Sequence, residues 1–352
     1  MKFVCCIFIS SLFLCVYTNV AAQRTDTSFF GNRVAVEEWI KENNVPALGI
    51  GIIRDGKLRE VRMYGELSKG HPAPYNAIFN VASLTKPIVT ILTMKLVNNG
   101  AWSLDEPLAK YWVDPDIAGD PRHKKLTTRL VLSHQTGFKN WRYLNTNQKL
   151  SFDVDPGTKF GYSGEGFEYL RKVLEKKFKK PLDKLADSIL FKPLGMRDTR
   201  LKWDKMVDES RFAHWFDEAG NEHKQDYKKT TLNAADDLLT TVEDYGKFAV
   251  YVMNGAGLDS SLFNEMVRPQ VPTQKGLFMS LGWELFQNLG PKKEYAIIHS
   301  GSDAGVKTLV IILPASKQGL VIFMNGDSGN KLYEKIISEL LDVGKEMMEQ
   351  AK

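Results

Sequence analysis

Cysteine is nearly absent: the chain of 352 residues carries three, and all of them, Cys5, Cys6 and Cys15, fall near its start. If that segment is removed, the remaining chain has no thiol, which excludes a cysteine nucleophile, a disulfide framework and a cysteine zinc site. Histidine is also sparse. His71, His123, His214 and His223 show no ligand spacing and no HExxH run occurs, so no metal and no cofactor is expected. Charge of one sign is missing as well: 47 Lys and Arg face 42 Asp and Glu, for a net +5. No basic block is long enough for a nucleic-acid arm. The densest run, "EKKFKK" at Glu175 to Lys180, reads as a solvated helix face. Internal repeats, low-complexity tracts and long linkers are not found.

The one long apolar run is N-terminal. Lys2 gives a positive start, "FVCCIFISSLFLCVY" an apolar stretch and "NVAA" small residues for cleavage. This predicts a secretory signal over residues 1–22 and export, to the periplasm. A membrane anchor is disfavoured because the run is short for a bilayer span. A lipid anchor on Cys15 is disfavoured because Phe13 and Leu14 are not small.

Residues 23–352 are long enough for a large core in one unit. Helical spacing starts near Val34. "ALGIGIIRDGKLREVRMYGELS" then predicts a hairpin turning at Asp55-Gly56, where both residues tolerate positive φ. Ile88, Ile91, Leu92, Met94, Leu96 and Val97 recur at helical spacing. So do Phe167, Leu170, Val173, Leu174 and Phe178. Thr241 and Asp244 predict a capping box for a third helix. Past Leu281 four short β-rich runs return, followed by a continuous amphipathic helix from Leu332 to Met347. Strands at both ends around a helical middle predict an α+β fold: an antiparallel sheet flanked by helices, with an inserted helical lobe. The sheet lobe is expected over about 23–80 and 280–352, the helical lobe over about 81–279. Trp215, Trp283 and Phe286 fit core packing and cleft lining equally well.

"FNVASLTKPIVT" places Ser83 three residues before Lys86 at the mouth of a helix. Residues three apart share a helix face, so the amine can reach the hydroxyl. A lysine near a helix N-terminus is disfavoured as ammonium when buried, and free N–H groups there can meet an oxyanion. Spacing alone is weak, since a chain of this size holds roughly one or two Ser-x-x-Lys by chance. A second, Ser328 to Lys331, is read as a helix start capped by Ser328 or Asn330.

The wider context resembles the serine β-lactamase, penicillin-binding protein and esterase family, in its class C, DD-peptidase-like branch. "ASLTKP" resembles the nucleophile motif, "LSHQTGF" the "LLTHTSGL" element, "PGTKFGYSGEGFEYL" the "PGxxFxYSNxxYxLL" element, "KPLGMRDT" the "PLGMxxT" element and "HSGSDAGVKT" the "HTGxxxGxxS" element. The resemblance implies Ser83 as acylated nucleophile, Lys86 as its proton acceptor and Tyr162 as a second proton-relaying group. It implies an oxyanion hole from the Ser83 and Ser302 N–H groups, and His299, Ser300, Gly301 and Gly164 as substrate-contacting positions. His134 is implied as a hydrogen-bonded support. Gly164 departs from the family's Asn and removes a side-chain amide, which turns the expectation toward esters or unusual amides. Class C β-lactamase, D-alanyl-D-alanine carboxypeptidase, acyltransferase and non-catalytic binding activities stay open at this point. A monomer acting on a small molecule, without nucleic acid or a membrane span in the mature chain, is expected.

Overall fold

The computed structural model of the protein describes residues 28–273 and 277–352. The leader read over residues 1–22 lies outside them. In chain order the elements are α1 (Arg33–Glu42), β1 (Ala47–Arg54), β2 (Lys57–Ser68), β3 (His71–Pro72), β4 (Phe79–Asn80), α2 (Thr85–Asn98), α3 (Thr128–Leu132), α4 (Gly164–Phe178), α5 (Leu182–Ala186) and α6 (Lys192–Leu194). They continue with β5 (Leu239–Thr240), α7 (Val242–Met253), α8 (Ser260–Val267), β6 (Val271–Pro272), β7 (Phe278–Met279), β8 (Glu284–Leu289), β9 (Glu294–Asp303), β10 (Val306–Leu313), β11 (Gln318–Met324), α9 (Tyr333–Leu340) and α10 (Gly344–Gln350).

The hairpin turn lies where the sequence puts it, with Asp55 and Gly56 at φ +52° and +70°. β1 then pairs with β2 on one side and with β11 on the other. The nine-stranded antiparallel sheet runs β3-β2-β1-β11-β10-β9-β8-β7-β6, so the first and last strands of the chain are neighbours inside it. Its middle strands are buried on both faces, which explains their unbroken apolar runs. Ile53, Val310, Ile312, Val321 and Phe323 point toward α2 and α7. Leu48, Ile50, Ile52, Leu309, Ile311, Leu320 and Ile322 point toward Val36 and Ile40 of α1 and Ile336 and Leu340 of α9. The fold is α+β, a sheet between two helical layers.

Three local expectations change. The C-terminal helix is two helices: Leu341 is extended, and the Gly344 N–H closes on the Leu341 carbonyl to restart α10. The capping box is only half formed. Thr241 Oγ1 accepts the Asp244 N–H, but the Asp244 carboxylate instead accepts from Asp198 N–H, Thr199 and Lys247. Neither Ser328 nor Asn330 caps a helix: the segment Asp327–Leu332 is a 3₁₀ stretch entered through Gly326 without a side-chain cap. Trp215, Trp283 and Phe286 are all buried and belong to cores.

Candidate active site

Ser83 sits in a 3₁₀ turn, Ala82–Leu84, that leads directly into α2. Ala82 before it is held at φ +46°, a left-handed conformation that costs a residue with a Cβ roughly 1 kcal/mol or more. Its N–H donates to Asn80 Oδ1 at 2.7 Å, and Thr85 Oγ1 donates to the Ala82 carbonyl at 2.7 Å. These bonds hold the bend that presents Ser83. Tyr245 in α7 donates to the Leu84 carbonyl at 2.9 Å and fixes the turn from below.

Lys86, one turn along, is fully buried at 0% exposure. Its Nζ donates to Ser83 Oγ at 2.8 Å and to the Ala235 carbonyl at 2.9 Å. The same amine lies 4.7 Å from the centre of the Tyr162 ring. Ser83, Lys86 and Tyr162 therefore share one surrounding. No carboxylate lies within ion-pair distance of Lys86 among the described residues.

Tyr162 is fixed by its neighbours. Its ring stacks on His134, centroids 4.3 Å apart at 28°. His134 Nδ1 accepts the Ser163 N–H at 3.1 Å, so the imidazole proton resides on Nε2, which is buried without a partner. Burial, with Lys86 second, pushes His134 well below the usual histidine range. It is neutral and supports the tyrosine from beneath.

On the opposite side β9 brings His299 to Ser302 past the Ser83 turn. Gly301 lies so close that a Cβ there would stand 2.3 Å from Thr308 Oγ1, 2.4 Å from the Val81 carbonyl and 3.2 Å from Ser83 N. Thr308 donates to that same Val81 carbonyl at 2.9 Å, tying the sheet to the turn. Ser300 and Ser302 are exposed beside it. His299 is buried, and its Nδ1–H donates to the Ser300 carbonyl at 2.9 Å. Burial, with Lys86 second, lowers it to about 3. At neutral pH it is an uncharged imidazole whose Nε2 carries a lone pair.

Gly164 opens α4 two residues after Tyr162, and the position where its Cβ would lie is occupied. Three ring atoms of Trp141 would be 2.7, 2.8 and 2.9 Å from that atom. An asparagine at 164 cannot enter while the indole stays, which explains the departure from the family pattern in steric terms.

The second Ser-x-x-Lys pair shows what spacing alone delivers. Lys331 Nζ reaches Ser328 Oγ at 3.3 Å, but Lys331 is exposed, whereas Lys86 is fully buried. Burial of the amine separates the two pairs, not contact.

Three members of the site were not read from the sequence. The Ala235 carbonyl and Asp236 come from "NAADD", a stretch with no motif. Trp141 carried no signal of its own. Burial, then Asp303 and Asp237, raise Asp236 to about 7. A carboxyl with a folded pKa above its unfolded value adds stability below about pH 4 and loses it as pH rises through about 7. Asp236→Asn keeps an oxygen for the Asp237 N–H and cannot ionise. Relative to wild type it should gain roughly 1–2 kcal/mol at pH 8, after allowance for partial solvent exposure, and nothing near pH 4. Thermal melts at the two pH values check this.

The profile described as Beta-lactamase matches residues 30–345, and the chain belongs to that family. D-alanyl-D-alanine-carboxypeptidase/endopeptidase AmpH of Escherichia coli K12 is 28% identical over 172 residues, covering 42% of this chain and 43% of the relative. The match thus spans less than half of that relative's length. The solved D-amino acid amidase of Ochrobactrum anthropi SV3, complexed with L-phenylalanine, superposes with a TM-score of 0.72 at 21% identity, over 92% of this chain and 99% of the other. The octameric penicillin-binding protein homologue of Pyrococcus abyssi gives 0.72 at 20% identity, over 83% and 72%. Among the described residues no helix is long and apolar enough to cross a membrane, and no cluster of His, Cys, Asp and Glu suits a metal ion.

Proposed function

We propose that the chain is an exported serine hydrolase that forms an acyl-enzyme on Ser83 and passes the acyl group to water. The observation that carries this is the buried amine of Lys86, 2.8 Å from Ser83 Oγ and 4.7 Å from the Tyr162 ring centre. For Lys86 to take the Ser83 proton, amine and hydroxyl exchange donor and acceptor roles along that same line. Oγ then attacks the substrate carbonyl, and the oxyanion is met by the N–H groups of Ser83 and Ser302. Tyr162 hands a proton to the leaving oxygen or nitrogen as the bond to carbon breaks. Water attacks the resulting ester, its proton returns through the same groups, and Ser83 is restored with release of the acid.

Esters or unusual amides are the substrates this site suits best. His299 is neutral, so the strand side holds no fixed cation there for a substrate carboxylate. Gly164 supplies no amide, and its space is filled by Trp141. The names of the relatives, a carboxypeptidase and an amidase, keep amide cleavage within the same chemistry. The leader read over residues 1–22 supports export to the periplasm, and the chain is taken to act as a monomer. Hydrolysis of p-nitrophenyl butyrate by wild type and by Ser83→Ala tests the proposal: Ser83-dependent turnover is expected, and equal rates for the two proteins would refute it.

A further inference from the structure

The segment Lys139–Leu144 is bound to the start of α4 with unusual completeness. Ser163 Oγ donates to the Lys139 carbonyl at 2.9 Å, Gly164 N–H to Asn140 Oδ1 at 2.8 Å and Glu165 N–H to the Asn140 carbonyl at 3.0 Å. Arg142 closes the clamp: its N–H and guanidinium bind Glu165 at 2.9–3.1 Å, and the guanidinium also reaches Asp114 at 3.0 Å and Asp116 at 3.2 Å. Residue 142 is thereby locked inward.

Its two neighbours are aromatic: Trp141 packs against the edge of the main core, and Tyr143 is exposed. Trp141 is half-buried, with one edge on Gly164 beside Tyr162. Tyr143 stacks nearly parallel to it, centroids 6.5 Å apart at 14°, and is 63% exposed; Leu144 is 52% exposed. Trp141 also lines, with Trp112 and Asn233, a cavity of about 350 Å³. Asn233 lies two residues before Ala235, whose carbonyl takes the Lys86 amine. The indole edge thus takes the space of a side chain at position 164, two residues from Tyr162.

We propose that Trp141, backed by Tyr143, is a specificity-determining residue that packs an aromatic or other flat apolar group attached next to the scissile carbonyl. The inference rests on the serine hydrolase reading and names its substrate class. Rigid aromatic surfaces bind such groups at small entropic cost, since the clamp has already fixed the ring. The ring recognised can belong to the acyl part or to the alcohol part of an ester, and the two are separable by experiment.

Two ester pairs decide it: p-nitrophenyl phenylacetate against p-nitrophenyl acetate, and benzyl acetate against ethyl acetate. The ratio of kcat/KM, aromatic over small, is measured for wild type, Trp141→Ala and Trp141→Phe. In one pair the wild-type ratio should fall roughly tenfold or more in Trp141→Ala and be largely kept in Trp141→Phe. The pair that responds tells which part of the ester the indole holds. Gly164→Ala, which drives a Cβ into the indole, should lower the same ratio should Trp141→Ala fail to fold. Hydrolysis with unchanged ratios in both pairs overturns this inference alone, whereas a wild type that cleaves none of the four esters overturns the hydrolase reading and the inference with it.

Discussion

Ser83→Ala should lose at least about 10⁴-fold in kcat for p-nitrophenyl esters, and Lys86→Met should lose nearly as much. Methionine is the informative replacement, because Lys86 is fully buried and a smaller residue would add a cavity to the chemical change. If hydroxyl and amine act as one unit, the double variant is no slower than the worse single one. Losses that multiply would mean the two side chains act independently, against the 2.8 Å contact. Tyr162→Phe isolates the phenol. It keeps the ring on His134 and under the Lys86 amine, so the expected loss, about 10²–10⁴-fold, comes from the hydroxyl. Steady-state kinetics with circular dichroism as a fold control checks all four proteins.

Gly301→Ala should lower the rate about 10²-fold, although it adds only a methyl. That carbon would stand 2.3 Å from Thr308 Oγ1 and 2.4 Å from the Val81 carbonyl. Both partners belong to the tie that holds the Ser83 turn against β10, so neither gives way without moving Ser83. Overpacking of this kind costs roughly 1–3 kcal/mol of stability. A displacement of the reacting serine by about an ångström costs around 10²-fold in rate. A folded Gly301→Ala protein with wild-type kcat/KM would show that β9 does not border the reacting atoms. Melting temperature and ester kinetics read the two effects separately.

The parts legible in the sequence are those set by short-range physics. Asp55-Gly56 announces a tight turn because few residues accept its dihedral angles. The apolar runs of β10 and β11 announce strands buried on both faces. Ser83 and Lys86 meet through one helical turn, so their spacing carries the contact. Tyr162 lies far along the chain and was found only through the resemblance of "PGTKFGYSGEGFEYL". What stayed hidden depends on distant packing. Ala235 is 149 residues from Lys86, and a backbone carbonyl leaves no mark in residue identity. Trp141 meets Gly164 because Lys139, Asn140 and Arg142 pin its loop to the start of α4. The missing asparagine was visible, but not the ring that takes its place. The break at Leu341 was hidden too, since the apolar period continues across it while the helix ladder does not.

Mass spectrometry after incubation with a fluorophosphonate probe tests the central claim most directly. The account predicts one adduct, on the peptide containing Ser83, lost in Ser83→Ala and slowed strongly in Lys86→Met, with Ser328 unlabelled. An unmodified Ser83 peptide in folded protein, or labelling that falls on Ser328 instead, would contradict it.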